Sequence, residues 1–149
     1  MSEDGVSGDL ELLYRGSWDG WKPSDFHAKC DNKGATITVI RSSDGFIFGG
    51  FADKSWKSSG RYCKSDKSFL FSLKSPSNEV GMAKMRINQN KCSYAMVHKS
   101  SSGPVFGVGN DLYIKSDANS NSDSYSNLGY SYELPPGQTK TFFGTVSRL

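Results

Sequence analysis

The fold is decided by residues 36–51, which read TITVIR, SSDG and FIFGGF. Two runs of β-branched and aromatic residues flank the link at 42–45, and an Asp-Gly pair between apolar runs is the strongest short-range signal of a β-hairpin. Alternate side chains of a strand point to opposite faces, so Ile37 and Val39 share one wholly apolar face. The pattern predicts a hairpin whose first strand lies inside a sheet that is packed over on at least one side.

The composition predicts one β-rich domain whose core depends on aromatic side chains. The chain has 149 residues, among them nine Phe, seven Tyr, three Trp and 16 Gly. A chain of this length suits a single domain that buries roughly two thirds of its unfolded surface. Aromatic residues combined with many glycines favour sheets with tight turns over helix bundles.

The charge pattern argues against a nucleic-acid or membrane partner. A net charge of +3 arises from 18 basic and 15 acidic residues that are spread evenly along the chain. No run approaches the ~20 apolar residues of a membrane span, and the start Met1-Ser2-Glu3-Asp4 lacks the basic and apolar parts of a signal peptide. We therefore expect a soluble, cytoplasmic protein that does not insert into membranes.

A short helix is expected at residues 23–30. Pro23 suits the first helical position, Asp25 lies in the first turn, and Gly34 is placed to take the left-handed cap after the helix. After the hairpin, the polar residues 52–67 predict a long surface loop with Trp56 and Tyr62 as isolated anchors.

Turn signals separate eight or nine short strands along the chain, including the two of the hairpin. The link at 88–91 predicts a second hairpin, and the Ser/Asn/Asp-rich residues 115–127 predict a loop. This spacing predicts a mainly β fold, a two-sheet antiparallel β-sandwich with short peripheral helices. The other expected strands are 69–73, 82–87, 93–97, 104–108, 111–114, 130–134 and 141–146.

Short segments at fitting spacing follow one another in a characteristic order. They read LLYRGS at 12–17, DGW at 19–21, DFH at 25–27, KCDNKG at 29–34, TITVI at 36–40, FGGF at 48–51, FG at 106–107, DLYI at 111–114 and SNLGYSY at 126–132. Together they resemble the TLDc domain over residues 10–149, with residues 1–9 as a flexible lead-in.

The resemblance implies both a fold and a function. It implies a β-sandwich with short helices outside, acting as a non-enzymatic protein-interaction module. It also implies protection against oxidative damage and binding to peripheral subunits of the vacuolar proton pump, the V-ATPase. Domains of this family usually continue with a further strand of acidic and apolar residues, whereas this chain stops at residues 147–149. Either the sequence is cut there, or the sheet lacks an edge strand that the pump-binding members possess.

An enzymatic alternative rests on His27 and Cys30, which lie three apart on one helix face. A Cys/His enzyme needs a nucleophile and a base in such an arrangement. In the structural alternative, His27 satisfies a buried backbone group and Cys30 fills core. The sequence contains no G-x-S-x-G, phosphate-loop or H-E-x-x-H motif. We expect no enzyme, and we assign no catalytic residue, cofactor or metal ligand.

The three cysteines, at positions 30, 63 and 92, fit neither a zinc site nor a disulfide framework. Cys63 lies in a polar loop where Arg61, Lys64 and Lys67 would favour its thiolate. Cys63 is therefore the candidate redox thiol, and an ordinary loop cysteine is the alternative.

Two ligand-binding alternatives involve the loops. Oxygen-bearing side chains at Asp117, Asn119, Asn121 and Asp123 match the first half of a calcium loop, although the glycine and the bidentate glutamate of that template are missing. Aromatic side chains beside Asn and Asp residues would suit a carbohydrate site on a β-sandwich. The aromatic candidates are Trp18, Trp21, Trp56 and Tyr125.

Five glycines are expected to matter for the fold, because each sits at a turn, a cap or a close approach of the backbone. They are Gly20, Gly34, Gly45, Gly49 and Gly50.

Overall fold

The predicted hairpin forms one side of the first of two antiparallel sheets. The computed structural model describes residues 9–76, 82–140, 142–143 and 148–149. In these residues the elements are α1 (Gly16–Asp19), α2 (Pro23–Cys30), β1 (Thr36–Arg41), β2 (Ile47–Ala52), β3 (Tyr62–Cys63), β4 (Phe69–Lys74), β5 (Ala83–Arg86), a 3₁₀ helix (Gln89–Tyr94), β6 (Met96–Val97), β7 (Val105–Phe106) and β8 (Leu112–Tyr113).

The β-sandwich prediction is confirmed. One sheet has the order β1-β2-β4-β5 and the other β3-β6-β7-β8, and every pairing is antiparallel. The hairpin runs in continuous register from Thr36 opposite Ala52 to Arg41 opposite Ile47. The expectation that β1 lies inside its sheet is wrong, because β1 is an edge strand: among the described residues only β2 pairs with it.

The core fills the space between the two sheets with large side chains. Trp56 meets Phe106 of β7 edge-on, with ring centroids 5.3 Å apart. Phe48 of β2 stacks on Phe143, with ring centroids 4.6 Å apart. One buried cluster includes Phe48, Leu70, Met85, Met96, Phe106 and Leu112.

The predicted second hairpin is wrong. β5 pairs with β4 in the first sheet, whereas β6 pairs with β3 and β7 in the second. Asn88 explains the difference, because its side chain accepts a hydrogen bond from the Asn90 N–H at 2.9 Å and starts the 3₁₀ helix. The chain therefore crosses from one sheet to the other instead of folding back.

The strand expected at 130–134 forms only one bridge, between Tyr132 and Ile87. The opposite side of this segment is occupied by the Asp111 carboxylate, which accepts the N–H groups of Ser131 and Tyr132 at 3.0–3.1 Å. A side chain thus takes the place of a neighbouring strand. The strand expected at 141–146 lies largely outside the described residues.

The expected helix at 23–30 is confirmed, but its cap differs from the prediction. Asn32 has a φ of 61° directly after the C-cap Asp31, whereas Gly34, with a φ of 78°, comes two residues later and leads into β1. In the following loop Trp56 is fully buried, as expected of an anchor. Tyr62 is 52% exposed and belongs to the short strand β3, so its assignment as an anchor is wrong.

Candidate functional site

A cleft of about 1210 Å³ runs along β1, and we call it the edge cleft. Its walls are residues 9–17 on one side and residues 36–43, which include β1, on the other; part of α2 also lines it. Pockets for small ligands usually measure about 300–1,000 Å³. The edge cleft is therefore larger than a small ligand requires.

Among the described residues, β1 is the edge strand of its sheet along this cleft. No residue of 36–41 has a hydrogen-bonded strand partner other than β2 within the described parts of the chain. Just beyond β1, the Ser43 N–H donates to the Arg148 carbonyl at 2.7 Å. Val39, in the middle of the strand, is 61% exposed. The strand lacks the proline and mid-strand charge that usually protect such an edge from pairing.

Among the charged side chains that line the edge cleft, the basic ones outnumber the acidic ones. Two carboxylates, Asp9 and Glu11, also lie on it. The charge of Lys22 is partly balanced by a residue that does not line the cleft, because Lys22 Nζ lies 3.7 Å from Asp117 Oδ1. The lining of the cleft thus carries more positive than negative charge, whereas the whole chain has nearly equal numbers of basic and acidic residues. The basic lining residues are Arg15, Lys22, Lys33, Arg41 and Lys115.

His27 fixes α2, one wall of the cleft, to the loop after β6. Its Nδ1 lies 2.7 Å from Asp31 Oδ1, and its Nε2 lies 2.8 Å from the Lys99 carbonyl and 2.9 Å from the Ser102 carbonyl. Carbonyl oxygens only accept, so Nε2 carries a hydrogen and donates it. Both ring nitrogens are thus engaged in holding backbone and helix together.

The pair His27 and Cys30 lacks the features of an activated nucleophile. Burial, followed by the charges of Asp31 and Asp19, raises the pKa of the Cys30 thiol to about 11. Cys30 belongs to the buried core cluster. A reactive cysteine needs the opposite shift, together with a free base nitrogen.

Comparison with known proteins agrees with this architecture. A family model described as the TLDc domain matches residues 4–145 of the chain. The chain belongs to the TLDc domain family. Its relatives include proteins named MTOR-associated protein MEAK7: that of Gallus gallus is 37% identical over 62 residues, that of Xenopus laevis 41% over 62, and that of Danio rerio 27% over 70. These matches cover 42% to 47% of this chain but only 13% to 16% of the relatives' length.

Cys63 of this TLDc domain does not have the environment of a low-pKa thiol. Burial and the charge of Asp53 raise its pKa, and Lys54 and Lys57 offset this only in part. The Sγ also donates a long hydrogen bond, 3.7 Å, to the Lys64 carbonyl, which favours the protonated form. The sequence suggested that the cations at positions 61, 64 and 67 would favour the thiolate. They are not among the causes of the shift in the pKa of Cys63.

We predict that Cys63 reacts with iodoacetamide more slowly than free cysteine at pH 7.5, because less of it is thiolate. Its rate should keep rising with pH beyond the pKa of free cysteine, about 8.5. The measurement uses the Cys92→Ser variant, with mass spectrometry to locate the label and Cys63→Ser as the blank. Alkylation faster than that of glutathione at neutral pH would contradict the prediction.

The four oxygen-bearing residues proposed for calcium mostly stabilise their own loop. Asn121 donates from Nδ2 to the Ser116 carbonyl at 3.0 Å and accepts from the Asp123 N–H at 3.0 Å. Asp117 has a φ of 55° and accepts from the Ser116 hydroxyl at 2.9 Å. Among the described residues, no three His, Cys, Asp or Glu side chains are grouped closely enough to hold a metal ion.

The aromatic residues proposed for carbohydrate binding are scattered over the TLDc domain. Trp56 is buried, while Trp18 is 71% exposed with the Arg15 guanidinium 4.4 Å from its ring centroid. Tyr125 stacks on Tyr113, with ring centroids 5.2 Å apart. In the described ring contacts, no two of the four candidates pair with each other, so they do not form a shared stacking platform.

The expected glycines lie at turns, or at positions where other atoms of the domain come close to their backbone. Gly20 and Gly45 have φ values of 111° and 87°. A Cβ on Gly49 would collide with the Thr38 carbonyl, and one on Gly50 would meet Phe106 of the opposite sheet.

Sequence reasoning missed the edge cleft itself, because its walls come from segments far apart in the chain. No helix in the described parts of the chain has the length and apolar character needed to cross a bilayer.

Proposed function

We propose that this TLDc domain is a non-enzymatic protein-interaction module that binds peripheral subunits of the V-ATPase and contributes to oxidative-stress resistance through that binding. The observation that supports it is the edge cleft, in which a strand that pairs only with β2 among the described residues borders a large groove whose charged lining residues are mostly basic. Such an edge suits recognition of another polypeptide, since backbone groups provide affinity and flanking side chains provide specificity. The choice of the V-ATPase rests on the family resemblance.

The environments of the potential catalytic groups also support a binding role. The edge cleft is lined by no histidine, and its one cysteine, Cys30, has a raised pKa. Both nitrogens of His27 are engaged, and burial lowers the pKa of His98, whose Nδ1 accepts from the Lys57 N–H at 3.2 Å. These side chains have structural partners in place of a substrate.

The relatives' name associates those proteins with mTOR, and they are much longer than this chain. We propose an mTOR-linked assembly as a second partner on that basis alone. Purified mTOR complexes are therefore applied to the immobilised chain in parallel with the V-ATPase subunits of the following test.

The function is tested by capturing purified V-ATPase peripheral subunits on the immobilised chain. We expect capture by the folded chain and none by Gly50→Val, which disrupts the sandwich and controls for non-specific adsorption. Melting curves recorded on both proteins establish which of them is folded. Absence of capture by a folded chain at micromolar subunit concentrations would contradict the V-ATPase proposal.

A further inference from the structure

We infer that a site formed by Lys99, Ser102, Tyr113 and Lys115 binds a phosphorylated serine side chain of a protein partner, and we call it the Tyr113 site. The inference goes beyond the proposed function, because it holds whichever protein the domain binds. Two hydroxyl groups, two ammonium groups and a rigid platform beneath them support it.

The platform of the Tyr113 site is a pair of stacked tyrosines. The rings of Tyr113 and Tyr125 are nearly parallel, at 5°, and their centroids lie 5.2 Å apart. The Tyr113 N–H donates to the Tyr125 carbonyl at 2.9 Å, and the Tyr125 N–H donates to the Tyr113 carbonyl at 3.0 Å. The Tyr125 hydroxyl accepts a hydrogen bond from Asn110 Nδ2 at 2.8 Å. The Tyr113 ring is therefore held in place before a ligand arrives, which lowers the entropic cost of binding.

The loop that carries Lys99 and Ser102 is held from inside the domain. The carbonyl groups of these two residues accept from His27 Nε2 at 2.8 and 2.9 Å. Their side chains both reach the Tyr113 hydroxyl oxygen, from which Ser102 Oγ lies 2.9 Å away and Lys99 Nζ 3.5 Å away. One loop thus brings a hydroxyl and an ammonium group to the same atom.

Hydrogen-bond donors outnumber acceptors at the Tyr113 hydroxyl. The bond between Ser102 and Tyr113 uses one of their two hydroxyl hydrogens, and the Lys99 ammonium group can only donate. In the hydrogen bonds of the described residues, one hydroxyl hydrogen is left to donate to an outside acceptor. Burial would raise the pKa of Tyr113, but the Ser102 hydrogen bond and the charges of Lys99 and Lys115 lower it overall. The charges that act on this hydroxyl are positive, as an anion site requires.

Two ammonium groups lie near the Tyr113 ring. Lys99 Nζ is 4.8 Å and Lys115 Nζ is 5.6 Å from the ring centroid. The Lys115 N–H donates to Ser124 Oγ at 2.9 Å, which fixes the backbone from which that side chain extends. Within the described parts of the chain, neither ammonium group forms an ion pair with a carboxylate. Both positive charges are thus available to one anion.

A phosphate monoester matches these groups better than a carboxylate does. At neutral pH it carries a charge of about −1.5 to −2 and three acceptor oxygens, whereas a carboxylate carries a single charge and two oxygens. The oxygens of one phosphate can accept from both ammonium groups and from the remaining hydroxyl hydrogen. The charge of the site and its number of donors therefore both favour phosphate.

The depth of the site favours a phosphorylated side chain over a membrane surface. Ser102 is 3% exposed and Lys99 is half-buried, so these groups are recessed. A serine phosphate projects from its backbone and can reach them. Binding to anionic lipid headgroups typically uses clusters of about 4–8 basic residues, whereas the Tyr113 site is built on two.

The inference is tested by NMR on the ¹⁵N-labelled full chain, to which the tripeptide Ac-Ala-pSer-Ala-NH₂ is added. We expect the amide signals of residues 99–102 and 113–115 to shift, with a Kd on the order of 1 mM for so small a ligand. The tripeptide with unmodified serine should cause no shift. The tripeptide Ac-Ala-Glu-Ala-NH₂ should bind about fivefold more weakly, because it has less charge and fewer acceptors.

Substitutions separate the site from general attraction to a basic surface. Lys99→Gln/Lys115→Gln should raise the Kd about tenfold, because both ammonium groups are lost. The matched control Lys64→Gln/Lys67→Gln removes the same charge just after β3, which lies at the opposite edge of its sheet from β8, and should change the Kd less than about twofold. Tyr113→Phe keeps the ring and should raise the Kd about fivefold through the lost hydroxyl. The dispersion of the amide signals shows that each variant is folded.

Three results would overturn the inference. One is the absence of shifts in these segments up to about 20 mM phosphorylated tripeptide, which exceeds the expected Kd many times. Another is an equal Kd for the two double variants. The third is co-sedimentation with phosphatidic acid vesicles that requires Lys99 and Lys115 while the phosphorylated tripeptide causes no shift, since the site would then bind a membrane surface.

Discussion

Gly50→Val is expected to lower the free energy of unfolding by about 3 kcal/mol or more, which is a large part of the stability of a typical domain. Gly50 lies in β2 where the two sheets approach each other. A Cβ at this position would lie 2.7 Å from Phe106 Cζ and 2.9 Å from Leu70 Cδ2. Both neighbours are fully buried, so neither can move without displacing other core residues. Thermal and urea unfolding followed by circular dichroism measure the effect.

The matched control is Gly60→Ala, because a Cβ on Gly60 would meet no atom within 4 Å. Its φ of 75° makes alanine strained there, at a cost of about 1 kcal/mol. If Gly50→Val melted within a few degrees of the unsubstituted chain, the close packing of the two sheets at this point would be refuted.

Asp111→Ala is expected to reduce the free energy of unfolding by about 3 kcal/mol. The Asp111 side chain is fully buried, and its carboxylate accepts the N–H groups of Ser131 and Tyr132. Alanine would leave both donors buried without an acceptor, and each such group costs about 1–3 kcal/mol. Urea unfolding at neutral pH measures the loss. Asp111→Asn retains one acceptor and the volume, so it should lose about 1 kcal/mol.

The same carboxylate makes a pH-dependent contribution with a defined sign. Burial raises the pKa of Asp111, although the N–H groups of Tyr132 and Ser131 offset part of the rise. The folded state then holds the proton more tightly than the unfolded state. Stability therefore falls as the pH rises from the usual carboxyl pKa, about 3.9, through the raised folded value. The stability difference between the unsubstituted chain and Asp111→Asn should reveal this fall, and a difference that grows with pH in that window would contradict it.

Local patterns were sufficient to predict the elements whose hydrogen bonds are local. The hairpin at 36–51 follows from an Asp-Gly turn between β-branched runs, and α2 follows from Pro23 and Asp25 at its start. Each signal lies within a few residues of the bonds that it predicts. The two-sheet architecture follows from the spacing of many such signals.

The predictions for residues 130–134 and for the place of β1 in its sheet failed because they depended on contacts between distant residues. Nothing near Tyr132 indicates that Asp111, about twenty residues earlier, supplies the acceptor that replaces a strand. Likewise, TITVIR is equally suited to the middle or the edge of a sheet, and only the arrangement of the other strands places it at the edge. The edge cleft was unpredictable for the same reason, since residues 9–17 and β1 meet only in the folded domain.

The stack of Phe48 on Phe143 has a consequence for protein synthesis. These two rings complete one core, yet nearly two thirds of the chain separates them. A ribosome adds roughly 5–20 residues per second, so the hairpin that contains Phe48 waits several seconds for its partner ring. During that interval its aromatic face is available to chaperones, and this part of the core is completed only after Phe143 has been synthesised.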